Sequence, residues 1–239
     1  MILPPVVGAD GCAGGWMAVY AGFSGPRWAV YPDLEGLLEA QSGAREIWGD
    51  VPLGLPESPE DLRPEPEGRR LLGRRACTLF SVPCRQATVC DGYPEASRVN
   101  RQILSRGLSR QSWNIVPVIR QADRLLQTPR TGPHLRESHP ELCFGWLRGG
   151  GKTILPLLEP KHTREGLALR MDLLKQHLPL NSLQKPPPRW AADLADALVL
   201  FVCAAMSQSA GVQTIPECPA VDPKGIPMAL HLPANLIQL

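Results

Sequence analysis

The stretch VVGADGCAGGWMAVYAGFSGPRWAVY, residues 6–31, decides the fold class of this chain. An apolar run, Val6 to Ala9, is separated by a glycine-rich turn from a second run of β-forming residues, Trp16 to Ala21. Two such runs joined by a short glycine turn predict a β-hairpin. A third run, Trp28 to Tyr31, follows the next turn and predicts another strand. The chain therefore opens with three strands that we expect to pair as an antiparallel meander.

The next segment adds a helix and a fourth strand. Asp33 is a typical N-cap residue, and Leu34, Leu37 and Leu38 follow it at the spacing of one helix face. The segment EIWGDV, Glu46 to Val51, then predicts a strand, which Pro52 stops. Three strands, a helix and a fourth strand predict an α/β fold.

The rest of the chain is mostly helical by pattern. We expect a fifth strand at Leu135 to Ser138, followed by a short helix that begins at Pro140. The strongest pattern, Trp190 to Ser207, is apolar all round after Asp196, so this helix must be buried. Further helices are predicted at Glu67 to Arg75, Pro94 to Leu108, Ile115 to Leu126 and from Thr163 to Leu178. The economical architecture is a single domain over residues 1–239, with a mostly helical, Arg-rich insertion at about 57–132.

Composition narrows the class of protein. The chain has 239 residues, of which 44% are hydrophobic and 20% charged, too apolar for a disordered protein. The N-terminal sequence lacks the basic and apolar regions of a signal peptide, and the longest apolar stretch is too short for a membrane-spanning helix. Seven cysteines without a C-x-x-C pair fit neither a disulfide framework nor a zinc site. We therefore expect a cytoplasmic protein with no membrane contact.

Positive charge is concentrated in one region. Residues 68–130 contain twelve Arg, no Lys and three acidic residues, a net charge of +9 in a chain whose total is +2. Arg binds phosphate with a planar, bidentate group, so a nucleic-acid partner is one interpretation, and solvated helix faces are an equally good one. The candidate phosphate contacts are Arg75, Arg85, Arg110 and Arg120, together with Lys161 and Arg164 from a smaller basic cluster downstream.

Four aspartates interrupt the apolar segments. Asp10 ends the first predicted strand, and Asp50 lies inside the apolar sequence IWGDVPLGL. Asp193 and Asp196, three residues apart, share one side of the opening turns of the last helix. Buried carboxylates are unfavourable unless they are paired or bind a cation, and divalent cations prefer such oxygen ligands. Structural roles stay open, because Asp10 and Asp50 can also accept hydrogen bonds from turns, and Asp193 favours a helix N-terminus.

A second acidic cluster occurs in ESHPE, residues 137–141. Glu137 falls at the end of the predicted fifth strand, where an active-site residue of an α/β fold would lie. Glu141 has a simpler interpretation, because acidic residues are favoured in the first turn of a helix. His139 is interpreted as a turn residue more readily than as a ligand.

Seven motifs in order resemble a bacterial and archaeal family of unknown function that is described as predicted RNase H-like nucleases. They are GADGCAGGW (Gly8 to Trp16), GDVPLGLP (Gly49 to Pro56), TLFSVPCRQA (Thr78 to Ala87), SRQSWNIVPVIRQAD (Ser109 to Asp123), ESHPELCF (Glu137 to Phe144), KHTREGLALR (Lys161 to Arg170) and ADLADAL (Ala192 to Leu198). The resemblance implies an RNase H-like fold: a mixed five-stranded sheet whose first three strands are antiparallel, with helices on both faces.

The resemblance also implies a site and a reaction. In that fold the catalytic carboxylates come from the first strand, the fourth strand and a late helix, which match Asp10, Asp50 and either Asp193 or Asp196. The implied activity is hydrolysis of nucleic acid with Mg²⁺ or Mn²⁺, in a possible two-metal site, with Glu137 as a further catalytic candidate. Two alternatives stay open: a nucleotide phosphohydrolase or phosphotransferase of the actin-like branch, suggested by the glycine-rich turn after Asp10, and a non-catalytic nucleic-acid-binding protein.

Overall fold

The computed structural model describes residues 3–128 and 132–237, so Arg130 and the end of the predicted insertion around it lie outside the described residues. The strands are β1 (Val6–Cys12), β2 (Gly15–Gly22), β3 (Gly25–Tyr31), β4 (Glu46–Gly49), β5 (His134–Glu137), β6 (Val212–Ile215) and β7 (Leu230–Pro233). The helices are α1 (Leu34–Ala40), α2 (Glu65–Leu72), α3 (Arg85–Thr88), α4 (Tyr93–Leu104), α5 (Arg110–Asn114), α6 (Val116–Leu126), α7 (Pro140–Arg148), α8 (Arg164–Lys175) and α9 (Ala191–Ala210).

The main sheet has five strands in the order β3-β2-β1-β4-β5. The pairs β1–β2 and β2–β3 are antiparallel, whereas β1–β4 and β4–β5 are parallel. This mixed sheet confirms the predicted α/β fold. β4 ends at Gly49, two residues before the predicted Val51, because Pro52 has no N–H to continue the ladder.

Alternating side chains of the strands fill two apolar layers. Val6, Met17 and Trp48 pack into one core together with α7, α8 and α9. Their neighbours Val7 and Ile47 pack into a second core with α1 and α6 on the opposite face. This alternation is the two-residue period of a β-strand, and it places helices on both faces of the sheet.

Helix α9 is the centre of the larger core. With the short 3₁₀ turn before it, it is long and apolar enough to cross a membrane by length and composition, but 83% of its most apolar window is buried inside the fold. It contacts β1 directly: a Cβ added at Gly8 would lie 2.2 Å from the carbonyl oxygen of Ala197 and 2.1 Å from the backbone nitrogen of Phe201. Only glycine permits this approach, which packs the middle of α9 directly against β1.

The segment between β4 and β5 contains α2 to α6, as the sequence pattern predicts in outline. Its helices are shorter than expected. α2 gives way to a 3₁₀ turn at Gly73, and α4 ends at Leu104 because Ser105 adopts a left-handed conformation with a φ of 57°. The small antiparallel sheet β6–β7 near the C-terminus was not predicted from the sequence.

Candidate active site

Asp10 and Asp50 lie side by side at the carboxyl ends of two parallel strands. Ala9 pairs with Gly49, and the N–H of Asp50 donates to the carbonyl oxygen of Ala9 at 3.1 Å. Adjacent strands are about 4.8 Å apart, so the two aspartates are direct neighbours. Both side chains point to the α9 face of the sheet, because Asp10 is two residues after Gly8 and Asp50 is two residues after Trp48, and both of these face α9.

Helix α9 brings a third carboxylate to this point. Asp196 lies one residue before Ala197, whose carbonyl oxygen faces Gly8, and its side chain is buried. Asp193 is one turn earlier and only half buried. The structure therefore brings Asp10, Asp50 and Asp196 into one cleft and leaves Asp193 nearer its rim.

Lys161 lies among these carboxylates. Its ammonium group donates a hydrogen bond to Oδ2 of Asp196 in an ion pair, and its side chain is 30% exposed. Burial opposes the charged form of Lys161, but the Asp196 and Asp10 carboxylates outweigh that effect and raise its pKa. Lys161 is thus a fixed positive charge inside the acidic cleft.

Burial and mutual repulsion disfavour the charged forms of these carboxylates. Burial raises the pKa of Asp10 well above its usual value, and the negative charges of Asp196 and Asp50 raise it further. Burial likewise raises the pKa of Asp196 to about 6, although Lys161 lowers it. One ammonium group does not balance the negative charge of the cleft, so the site favours an additional cation or proton.

Glu137, the fifth catalytic candidate, lines the same cavity as Asp10 and Asp50 but is held by a different set of contacts. It pairs with Gly49 across β4–β5, so its side chain has the opposite orientation to that of Asp50. Its Oε2 accepts the N–H of Leu53 at 2.7 Å, and its Oε1 accepts from Arg63 at 2.7 Å. Burial raises the pKa of Glu137 to about 7 in spite of Arg63. These contacts hold the loop after β4 in place and favour a structural role.

Glu141 is a site residue that the sequence interpretation missed. It starts α7, it is buried, and it lines a cavity together with Asp50, Asp196 and Lys161. Its Oε1 accepts hydrogen bonds from Arg75 at 3.0 Å and from Arg170 at 2.7 Å. Acidic residues are common in the first turn of a helix, so the sequence favoured this simple role for Glu141. The one sequence signal for a buried position is the apolar helix that follows it.

The predicted arginine contacts occupy different environments. Arg75 lines the cleft and donates a hydrogen bond to Glu141. Arg85 is surrounded by Glu57, Asp123 and Asp222, and its three donor nitrogens each contact one of these carboxylates, so it joins the insertion to the C-terminal segment. Arg120 is exposed and donates to the carbonyl oxygen of Thr88 at 2.7 Å.

The last two candidates lie on exposed surface. The guanidinium of Arg110 stacks 3.8 Å from the centre of the Tyr93 ring. Arg164 is exposed at the first residue of α8, after Thr163, which caps this helix by accepting the N–H of Gly166 at 3.0 Å. Of the six basic candidates, Arg75 and Lys161 therefore line the cavity that contains Asp50 and Asp196.

A protein-family model matches residues 8–220, a range that includes the sheet, the acidic cleft and α9. The family is described as a protein of unknown function, DUF429. The chain belongs to DUF429. No curated protein and no solved structure matches the chain significantly. Membership of DUF429 identifies relatives without assigning an activity.

The oxygen atoms in the cleft of this DUF429 chain are suitable ligands for a divalent cation. Asp10, Asp50 and Asp196 supply the hard oxygen ligands that Mg²⁺ and Mn²⁺ prefer. In the same cavity, Oε2 of Glu141 is buried without a hydrogen-bond partner among the described residues. Within residues 3–128 and 132–237, however, no group of three His, Cys, Asp or Glu side chains is already arranged to hold an ion. The ammonium group of Lys161 binds Oδ2 of Asp196, an oxygen for which a cation would compete.

Proposed function

We propose that this chain is a metal-dependent phosphodiesterase that hydrolyses nucleic acid, as an RNase H-like nuclease. The observation that supports the proposal is the meeting of Asp10, Asp50 and Asp196 in one cleft, from two neighbouring parallel strands and one helix. Two buried carboxylates, Asp10 and Asp196, beside the exposed Asp50 are more than local structure requires.

The charge of the cleft makes a cation part of the proposal. Asp10, Asp50, Asp193 and Asp196 face the ammonium group of Lys161, and His139 and His162 lie near Asp50 and Asp193, as their mutual influence on pKa indicates. A phosphate group that approached this net negative charge would be repelled. Placing the phosphate that is to be hydrolysed at the carboxylates therefore requires additional positive charge there.

Each residue of the cleft has a proposed role. Asp10, Asp50 and Asp196 would hold Mg²⁺ or Mn²⁺, with Asp193 as an outer ligand. Such ions, when bound, activate water for attack on phosphorus and stabilise the leaving oxygen. Lys161 would move from Asp196 towards the phosphate and donate hydrogen bonds to its oxygens. Arg75, held by Glu141 at the cavity wall, is placed to orient the same phosphate.

The nucleotidase alternative depends on the glycine-rich turn after Asp10. In the structure Cys12 pairs with Gly15, so this turn closes the β1–β2 hairpin over two residues. The carbonyl oxygen of Ala13 in the turn accepts a hydrogen bond from Trp190 at 3.1 Å. These contacts tie the turn to the 3₁₀ turn before α9, and we therefore place hydrolysis of a polymer first.

A cytoplasmic location belongs to the same proposal. All seven cysteines are free thiols in the structure, and Cys84, Cys143 and Cys203 are buried. A reducing compartment keeps such thiols in that state.

The test replaces Asp50 by Asn, which keeps the size of the side chain and removes one negative charge. Asp50→Asn should abolish Mn²⁺-dependent hydrolysis of fluorescent DNA or RNA oligonucleotides. In EDTA it should melt no lower than the wild type, because repulsion among the carboxylates falls. The matched control is Asp91→Asn, an exposed position between α3 and α4, which should change neither property. A destabilised Asp50→Asn variant with full activity would overturn the proposal.

A further inference from the structure

The cavity above the carboxylates has an apolar wall that metal binding does not explain. This cavity, of about 380 Å³, is lined by Asp10, Asp50 and Lys161 and also by Phe80, Ile115 and Val118. The last three come from the segment between β4 and β5. Phe80 lies in a loop and is 37% exposed, so its ring is accessible from the cavity. The cleft thus combines groups suited to a phosphate with a surface suited to a flat apolar ring.

Two neighbouring cavities extend this one in both directions. One, of about 430 Å³, shares Trp16 and Val118 with it and is also lined by Arg120 and Arg124 of α6. The other, also of about 430 Å³, shares Phe80 and is also lined by the basic residues Arg75 and His162. The three cavities adjoin at these shared side chains and are together called here the Phe80 groove.

Both ends of the Phe80 groove carry basic residues. Arg120 and Arg124 line one end, and Arg75, Lys161 and His162 line the other, where Asp50, Glu141 and Asp196 also lie. The middle cavity contains Asp10 and Asp50. Basic groups on either side of these two aspartates suit a chain with several phosphates, of which a middle one reaches the acids. A mononucleotide has no phosphates that would reach both ends.

We propose that the Phe80 groove binds a single strand of nucleic acid, with unpaired bases against Phe80, Ile115 and Val118; this inference rests on the proposed nuclease function and specifies its substrate. In a duplex the faces of the bases are stacked on each other, so an apolar wall next to the phosphate site has no partner there. In a single strand the bases are free to stack on aromatic and apolar side chains. Asp50 is exposed, whereas Asp10 and Asp196 are only 5% and 3% exposed, and a flexible strand reaches such deep groups more readily than a duplex.

The experiment measures binding in EDTA, so that hydrolysis plays no part. A labelled single-stranded oligonucleotide of about 12 nucleotides, the same strand annealed to its complement, and the same strand with one central base removed are titrated by fluorescence anisotropy. The variants are Phe80→Ala and Arg124→Gln. Their matched controls are Val89→Ala and Arg98→Gln, both exposed on the same insertion and neither lining the Phe80 groove.

The expected result has three parts. The single strand binds more tightly than the duplex. Phe80→Ala weakens binding of the complete single strand by about 5- to 150-fold, the effect of losing one stacked base, with a smaller effect on the strand that lacks the base. Arg124→Gln lowers the dependence of binding on salt by about 0.7 in the log–log slope, since one phosphate contact is lost.

Three outcomes would overturn the inference: a duplex that binds as tightly as the single strand, a mononucleotide that competes as well as the oligonucleotide, or a Phe80→Ala variant that binds as the Val89→Ala control does. Failure of the nuclease proposal has a different signature. Selective single-strand binding that depends on Phe80, without Mn²⁺-dependent hydrolysis by the wild type, would support the groove and contradict the catalytic role. Thermal melts of Phe80→Ala and Arg124→Gln verify that both variants fold.

Discussion

Replacing Lys161 by Met removes the ammonium group from the acidic cleft and keeps most of the aliphatic side chain. In the structure this group pairs with Asp196, whose side chain is only 4% exposed. Removing one partner of a fully buried ion pair costs about 3–5 kcal/mol. Lys161 is 30% exposed, so solvent screens the pair, and we expect a loss near 2 kcal/mol at pH 7.5, about half of the buried value.

Two conditions should reduce this loss of stability. At pH 5 the Asp196 carboxyl, whose pKa is about 6, is largely protonated in the folded wild type, so the ammonium group contributes less there. Mn²⁺ should also compensate: at 100 times its dissociation constant a bound ion adds about 2.7 kcal/mol. Lys161→Met should gain more from Mn²⁺ than the wild type, because no ammonium group competes with the ion.

The assay is thermal unfolding at pH 5 and pH 7.5, in EDTA and in a Mn²⁺ series. About 2 kcal/mol corresponds to a decrease of roughly 4–8 °C in Tm for a protein of this size. The control is Lys175→Met, which breaks an exposed pair with Asp172 on α8 and should change stability by less than about 0.5 kcal/mol under every condition. The reasoning is refuted if Mn²⁺ stabilises Lys161→Met no more than Lys175→Met.

Three further predictions follow from the same contacts. The pKa of Asp196 in the folded protein, about 6, lies above its usual 3.8, so the free energy of unfolding of the wild type without metal should fall as pH rises from about 4 to 6. In urea unfolding, the decrease over this range should be smaller for Asp196→Asn than for the wild type, by up to about 3 kcal/mol. Gly8→Ala should destabilise the protein by about 3 kcal/mol or more, because its Cβ meets the backbone of α9, whereas Gly11→Ala in the same strand meets nothing and should be nearly neutral in the same melts. Arg85→Met should cost about 3–5 kcal/mol in urea unfolding, since it leaves three carboxylates unpaired, without changing the salt dependence of oligonucleotide binding.

The parts of the fold that the sequence predicted are those with a strong local pattern. The glycine-turn hairpin, the Asp33 cap, which accepts the N–H of Gly36 at 2.8 Å, and the apolar helix after Asp196 each carry a short-range signal. The small β6–β7 sheet carries almost none, because its strands have four residues each and are separated by a long loop. Helix ends in the insertion also depended on single residues, such as Ser105, whose conformation no periodicity encodes.

The candidate site was only partly accessible from sequence. Proximity of Asp10 to Asp50 could be predicted, because both end strands of one sheet. The position of Lys161 could not, since it lies in a loop 35 residues from its partner Asp196. Likewise, the orientation of Glu137 depends on the register between β4 and β5, and a shift of one residue would have placed it on the same face of the sheet as Asp50.

Anomalous diffraction from crystals soaked in Mn²⁺ would locate any ion bound in the cleft. We expect one or two anomalous peaks within coordination distance, about 2.0–2.3 Å, of carboxylate oxygens of Asp10, Asp50 and Asp196, with Lys161 displaced from Asp196. A cleft without a peak, in which Lys161 still binds Asp196 at high Mn²⁺ concentration, would contradict this expectation.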